Sequence, residues 1–338
     1  MSTTSPDGSR PDSPFHAGEL AIQQRAGGLA QAAALGQRGI RAYMPEQHRQ
    51  FFAQLPFVLV GSVDRSGQPW ASVLAGRPGF MHAPDPHTLR IDARPLPEDQ
   101  LDANLQLGAR LGMLGIELPT RRRNRLNGKV TALDPAGFSL GVTQSFGNCP
   151  RYIQGRQAVF VDAPGRPRVD EHEQLNEADR ALIEAADTLF IASNAAAPAD
   201  APESPSAGAD VSHRGGRPGF VRVEAPDTLV FPDFNGNALY QTLGNLHLDP
   251  RAGLLFIDFS SGDLLQLCCT ASLVWDGPEL RAFAGAERLL RLRVGRVRRL
   301  IDVLPLRWSA PDYSPYVERT GTWLEADAAL TARLGPAA

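Results

Sequence analysis

Short apolar runs separated by turn residues, rather than long amphipathic stretches, set the pattern of this chain. Phe57-Val58-Leu59-Val60 and Leu189-Phe190-Ile191-Ala192 read as buried strands. Further strand-like runs follow each of them in the same order. Thr88-Leu89-Arg90-Ile91 matches Thr228-Leu229-Val230-Phe231, Leu111-Gly112-Met113-Leu114 matches Ala252-Gly253-Leu254-Leu255, and Arg125 to Val130 matches Gln266 to Ala271. The pentapeptide Gly-Arg-Pro-Gly-Phe stands at Gly76 to Phe80 and again at Gly216 to Phe220, 140 residues on. That period is too long for a solenoid and suits a whole domain, so the chain reads as one domain written twice. Gly, Pro, Asn and Asp break the strands at the intervals of an antiparallel barrel or sandwich.

Helical spacing is confined to a few segments. Leu239, Leu243 and Leu246 predict a helix over Asn237 to Leu248, stopped by Asp249-Pro250, and Leu101 and Leu105 predict its counterpart over Glu98 to Leu107. Before the first repeat, Glu19 to Ala42 and Glu46 to Gln54 are expected to be helical; between the repeats, so is Glu173 to Ala186. The Ala-, Pro- and Ser-rich stretch 195–209 stands where the first repeat has only the turn Asp64-Arg65-Ser66-Gly67, and is expected to be a flexible hairpin tip. The resulting division is a disordered tail over 1–14, N-terminal helices and a first barrel over 15–165, a linker helix within 166–187, and a second barrel over 188–330. The fold class is mainly β, a β-barrel with inserted helices occurring twice.

Composition narrows the function classes. A length of 338 residues accommodates two domains, each with its own core, and a formal net charge of -3 with mixed signs gives no nucleic-acid or anionic-membrane surface. No run approaches the ~18 apolar residues of a membrane span, and the start lacks the basic and apolar regions of a signal peptide, so the cytoplasm is the expected compartment. Cys149, Cys268 and Cys269 are too few and too badly spaced for a zinc or iron–sulfur site, and the seven histidines show no ligand pattern; no metal is expected. Cys268 and Cys269 read as packing residues on opposite faces of a strand. Ser212 and His213, as direct neighbours on a strand, face opposite ways and cannot form a hydrolase pair, which disfavours a hydrolase.

Candidate chemistry concentrates in the second repeat. Ser212-His213-Arg214-Gly215-Gly216-Arg217 brings forked donors and glycines to a strand end, a composition that grips phosphate or else merely makes a tight turn. Pro232-Asp233-Phe234-Asn235-Gly236-Asn237 leads into the helix bearing Tyr240, Gln241, Thr242 and Asn245, where free N–H groups at a helix start favour an anion; the plain alternative is N-capping by Asn235 or Asn237. Neither segment is a Walker or Gly-x-Gly-x-x-Gly signature. In the first repeat Leu74 replaces Arg214, while Arg121, Arg123 and Arg125 share one strand face and read either as a solvated hairpin or as a reach toward a ligand held by the other repeat. Gln144 to Ile153, including Cys149, is expected to be a structured loop near a site.

Taken together, residues 210 to 221, Thr228-Leu229 with Pro232-Asp233, Gly236-Asn237, Leu243 to Leu246 and Asp249 to Phe256 resemble the pyridoxamine 5'-phosphate oxidase-like, FMN-binding split β-barrel proteins. Gly61 to Asp64, Gly76 to Phe80 and Phe146 to Pro150 extend the resemblance into the first half, giving a tandem-repeat type that spans most of residues 45 to 295. The resemblance implies two split barrels with FMN at their interface. It implies phosphate donors on the strand of Arg214 and at the helix start with Gln241 and Thr242, and Pro232 and Asp233 along the ring. The basic pair that oxidase members carry at that helix is here Gln241 and Thr242, so Arg214, Arg217 or the Arg121 to Arg125 run must supply the charge. Ser212, Arg214, Arg217, Pro232, Asp233, Asn235, Asn237, Gln241, Thr242, Asn245, Arg123 and Arg125 are the expected cofactor-binding residues, with no catalytic residue named. The implied activity is that of a flavin-dependent oxidoreductase of unknown substrate, reduced by NAD(P)H or by a separate electron-transfer protein, possible also as a homodimer. The alternatives are a non-catalytic flavin or small-anion binding protein, and a barrel pair without a cofactor.

Overall fold

The computed structural model describes residues 13–161 and 165–334. The expected tail of residues 1–14 therefore lies, Ser13 and Pro14 apart, outside the described residues. Helices α1 (Ala17–Arg25), α2 (Leu29–Gly39) and α3 (Glu46–Ala53) precede the first sheet, whose strands are β1 (Phe57–Val63), β2 (Pro69–Ala75), β3 (Met81–Asp85), β4 (Thr88–Ile91), β5 (Arg110–Glu117), β6 (Arg122–Asp134) and β7 (Gly137–Asn148). A short helix α4 (Leu101–Asn104) sits between β4 and β5. Strands β8 (Ala158–Phe160) and β9 (Arg168–His172) and helix α5 (Glu177–Ala185) lead to the second sheet. It holds β10 (Thr188–Ala195), β11 (Gly208–Gly215), β12 (Arg222–Ala225), β13 (Thr228–Phe234), β14 (Arg251–Ile257), β15 (Leu264–Val274) and β16 (Ala286–Ile301), with α6 (Gln241–Leu248) and α7 (Pro278–Ala282) inserted. Strand β17 (Leu306–Trp308) and helix α8 (Trp323–Leu334) follow.

Both sheets are antiparallel and share one strand order. The first runs β2-β1-β5-β6-β7-β4-β3 and the second β11-β10-β14-β15-β16-β13-β12, strand for strand the same path. The segment 166–187 contains more than a linker helix, because β9 pairs with β16 and extends the second sheet. Strand β8 in turn crosses to pair with β17.

The unbroken apolar runs have a packing reason. In β1, Val58 and Val60 enter the core of the first barrel, while Phe57 and Leu59 face the other way, into a seam shared with Phe190, Ala192, Val211 and Leu255. In β10, Leu189 and Ile191 enter the second barrel's core and Phe190 and Ala192 the seam. Both faces of these strands are buried, so the alternation of a half-exposed antiparallel strand is lost.

The sheets meet through reciprocal close approaches that only glycine permits. A Cβ on Gly112 of β5 would lie 2.3 Å from the carbonyl oxygen of Ala209 on β11, and one on Gly253 of β14 would lie 2.4 Å from that of Pro69 on β2. The repeated pentapeptide is likewise a packing device. Gly79 and Gly219 have φ of 99° and 85°, and the rings of Phe80 and Phe220 lie where side chains on Gly76 and Gly216 would be.

Several element boundaries differ from those read in the sequence. The helix expected over Glu19 to Ala42 is two, parted at Gly27, whose φ is 74°. The helix expected from Asn237 begins at Gln241, because Ala238 and Tyr240 are left-handed, at φ 59° each. Its counterpart shrinks to Leu101–Asn104, with Glu98 left-handed at φ 64°. Gln144 to Asn148 belongs to β7 and is not loop. The 195–209 stretch bridges β10 and β11 and is tied to the first sheet: Arg110 donates to the carbonyl oxygens of Pro202, Ser204 and Ala207, and Lys129 pairs with Glu203.

Candidate functional site

A cleft opens at one end of the seam, where the edge strand β11 and the start of α6 face β6 of the other half. Its lining brings together Arg123, Arg125, Ser212, Arg214, Pro232, Asp233, Asn237, Gln241 and Thr242 from the expected set. Alternation along β6 puts Arg123 and Arg125 on one face, as the sequence suggested. Arg121 is excluded from that face: it is left-handed at φ 57° ahead of the strand and spends its guanidinium on Ile153 and Asp312.

The donors in the cleft are held but not used up. Arg125, 2% exposed, crosses the seam to the carbonyl oxygen of Val211 at 2.7 Å and to Ser212 Oγ, and pairs with Asp210. Thr242 Oγ1 donates to Ser212 Oγ at 2.9 Å. Arg123 Nε donates to the carbonyl oxygen of Cys149 at 2.6 Å, and it has no carboxylate partner among the described residues. Removal from solvent, with Arg214 and Arg125 nearby, pulls the Arg123 guanidinium down to about 10. Arg214 is likewise lowered by burial, and its contact with Asp233 is loose, 3.6 Å, because Arg288 holds that carboxylate at 2.9 Å. Buried donors without a partner remain at Arg125 Nε, Arg214 Nε and Asn148 Nδ2.

Helix α6 adds backbone donors. No side chain caps its start, which follows the left-handed Tyr240, so the first-turn N–H groups at Gln241 and Thr242 are free toward the cleft. Tyr152 and Phe234, with ring centroids 5.2 Å apart, and Tyr240 supply aromatic walls. Burial raises the phenols of Tyr152 and Tyr240, and burial with Arg123 and Arg214 nearby holds His213 well below the ordinary imidazole range. None of these groups is shifted toward acid–base work near neutral pH.

Three expected residues fall outside the lining. Arg217 sits in the Gly-Arg-Pro-Gly-Phe turn and bonds the carbonyl oxygen of Thr320 at 3.2 Å and Glu325 at 3.0 Å, so it gives the cleft no charge. Asn235 pairs with Arg151 and, at 2.8 Å, Glu287 beyond the rim. Asn245 lies behind the cleft on Ser193 and Asp210, both at 3.0 Å. Conversely, Asn148, Arg151, Tyr152, His213 and Tyr240 line the cleft without having been singled out as binding residues. The sequence signals for the first three were the density of special-conformation residues in Gln144 to Ile153 and, for Asn148, its place in the Phe146 to Pro150 stretch that carries the resemblance.

The reciprocal position in the other half is filled. Where the cleft has Arg125 bonding Val211 and Ser212, the twin has Gln266 bonding the carbonyl oxygen of Ala71 at 3.0 Å and Ser72 Oγ at 3.4 Å. Leu74, Leu264 and Asp99 stand where the cleft has Arg214, Arg123 and Tyr240. Asp99, 4% exposed, takes hydrogen bonds from Ser72 Oγ at 2.6 Å and Gln266 Nε2 at 3.2 Å. A carboxylate and two leucines make this twin hostile to an anion.

Residues 44–170 match the family model described as pyridoxamine 5'-phosphate oxidase. No curated protein matches the chain in sequence. Among solved structures, a HupZ variant from Group A Streptococcus shares 14% identity at TM-score 0.28, covering 37% of this chain and 98% of its own. A protein described as a putative pyridoxamine 5'-phosphate oxidase from Lactobacillus delbrueckii shares 16% at 0.27, covering 37% and 93%. An F420 reductase shares 13% at 0.24, covering 39% and 98%. Among the described residues no helix is long and apolar enough to cross a membrane.

Proposed function

We propose that this chain, a member of the pyridoxamine 5'-phosphate oxidase-like family through residues 44–170, binds one FMN in the seam cleft and works as a flavin-dependent oxidoreductase. The observation that carries the reading is the uncompensated positive charge at the cleft. Among the described residues Arg123 has no carboxylate partner, and Arg214 has only a loose share of one. Half-buried cations short of partners favour an anion from outside the chain.

The donor set fits a phosphate-bearing flavin. Arg214, Ser212, Thr242 and the free N–H groups of α6 form a phosphate cradle, and Arg123 and Arg125 bring charge from the other half. Tyr152, Phe234 and Tyr240 offer surfaces for a planar ring, with Pro232 and Asp233 along one edge. The missing basic pair at Gln241 and Thr242 is offset by arginines from β6, which a single barrel could not supply. Bound flavin supplies hydride or electron transfer; the protein's part is to hold the anion, orient the ring and keep water from one face.

A second reading, a binding protein without turnover, is favoured by one feature: the cleft's histidine and tyrosines are held away from titration near neutral pH. Two measurements separate the readings. Titration of purified protein with FMN, followed by quenching of flavin fluorescence, is expected to saturate; protein that stays colourless in excess FMN refutes flavin binding in either reading. NADH or NADPH consumption with an added acceptor by the loaded protein supports the oxidoreductase, and its absence with every donor tried, including dithionite-reduced ferredoxin, leaves the binding protein.

A further inference from the structure

Behind the cleft a row of buried polar side chains runs from Arg125 to the N-terminal helix. Asp210 pairs with Arg125 Nη1, accepts from Asn127 Nδ2 at 2.7 Å on one oxygen and from Asn245 Nδ2 at 3.0 Å on the other. Asn245 Oδ1 in turn meets His16 Nε2 at 2.7 Å. His16 caps α1: its Nδ1 accepts from the N–H of Gly18 at 3.1 Å, which leaves the ring proton on Nε2 to donate to Asn245. The helix is pressed onto α6 closely enough that a Cβ on Gly244 would lie 2.6 Å from Glu19 Cα. Gln23 fixes the other end of the helix, donating to the carbonyl oxygen of Leu239 ahead of α6 at 3.0 Å. The twin position has the Asn104 Nδ2 to Ser62 Oγ bond at 2.9 Å that mirrors Asn245 and Ser193, but Trp70 replaces Asp210.

We propose that His16, Asn245 and Asp210 are positioning residues for Arg125, so that the N-terminal helix is part of the anion site and fixes a guanidinium that reaches the cleft from the opposite half. The proposal rests on the reading of the cleft as an anion site. Without the row, Asp210 turns and Arg125 loses the partner that aims it across the seam. Arg125 touches the ligand; His16 acts only through two intermediaries.

A double-mutant cycle in ligand affinity tests this, with FMN as probe and thermal melting recorded alongside. His16→Ala is expected to weaken FMN binding about tenfold in the wild-type background and by less than about twofold in the Arg125→Ala background, because the row then has nothing to aim. Equal losses in both backgrounds, or no loss in either, overturn the proposal. Should His16→Ala fail to fold, His16→Gln, which keeps an acceptor for Gly18 and a donor for Asn245, is expected to restore binding to within about threefold of wild type; a folded Gln variant as weak as a positional truncation of Arg125 overturns it. The same cycle read with inorganic phosphate distinguishes the two levels of argument. Phosphate bound with the predicted coupling, but no FMN, removes the cofactor reading and keeps the positioning row; a wild-type protein that takes neither removes both.

Discussion

Replacing Arg214 with alanine separates binding from stability. In the ligand-free chain this guanidinium is a liability: it is only 21% exposed, lowered by its burial, and its contact with Asp233 is 3.6 Å. Asp233 does not depend on it, because Arg288 Nε and Nη2 hold the same carboxylate at 3.0 and 2.9 Å. Truncation therefore leaves no orphaned charge, and the expected change in unfolding free energy is within about 1 kcal/mol, with either sign. The bound state is different. A charge-assisted hydrogen bond to phosphate contributes about 1.5–3 kcal/mol, so Arg214→Ala is expected to raise the Kd for FMN by about 10- to 150-fold. Fluorescence titration at fixed ionic strength, with thermal melting of ligand-free protein alongside, reads both quantities. Unchanged FMN affinity would refute the phosphate assignment. A melting temperature lowered by many degrees would show instead that Arg214 is a structural partner of Asp233.

Three further outcomes are expected. Glu19, 4% exposed, is raised well above 4.5 by burial, so between 4.5 and that higher value the folded chain keeps a proton the unfolded chain gives up, and stability falls as pH rises through the window. Glu19→Gln, which keeps the acceptor for His16 N–H, should therefore melt above wild type at pH 8 with the gap closing toward pH 4; parallel melting curves would contradict this. Because Leu74, Leu264, Gln266 and Asp99 fill the twin position, FMN should saturate at one per chain, and calorimetry returning two equal sites would show that the filling can be displaced. Gly112→Val places atoms against the carbonyl oxygen of Ala209, 2.3 Å from the first carbon added, and should cost about 3 kcal/mol in urea unfolding; a shift under about 1 kcal/mol would mean the seam is not tightly closed.

The sequence carried the fold further than the site, and the difference is one of range. The matched runs around Gly76 and Gly216 record local needs: a left-handed glycine and a ring seated on a glycine. Each is satisfied within its own half, so each can be read without the other, and the shared strand order of the two sheets fits that reading. The site is made by relations between halves. Arg123 and Arg125, which alternation along the Arg-rich run already placed on one face, acquire their role only when β6 lies across β11. Arg121 dropped out through one backbone angle and Arg217 through the needs of its turn. His16 and Glu19 carried no signal, being ordinary residues in an Ala- and Gln-rich helix until α1 is laid on α6. Duplication explains why such a division of labour is available. Two equal halves related by a reciprocal seam would carry two equal clefts; once fused in one chain they can diverge, one keeping donors at Arg214, Arg123 and Arg125 while the other substitutes leucine at two of those positions and glutamine at the third. The filled twin then serves as packing within the seam, and the open cleft draws its lining from both halves, Arg123 and Arg125 from one and Ser212, Arg214 and Thr242 from the other.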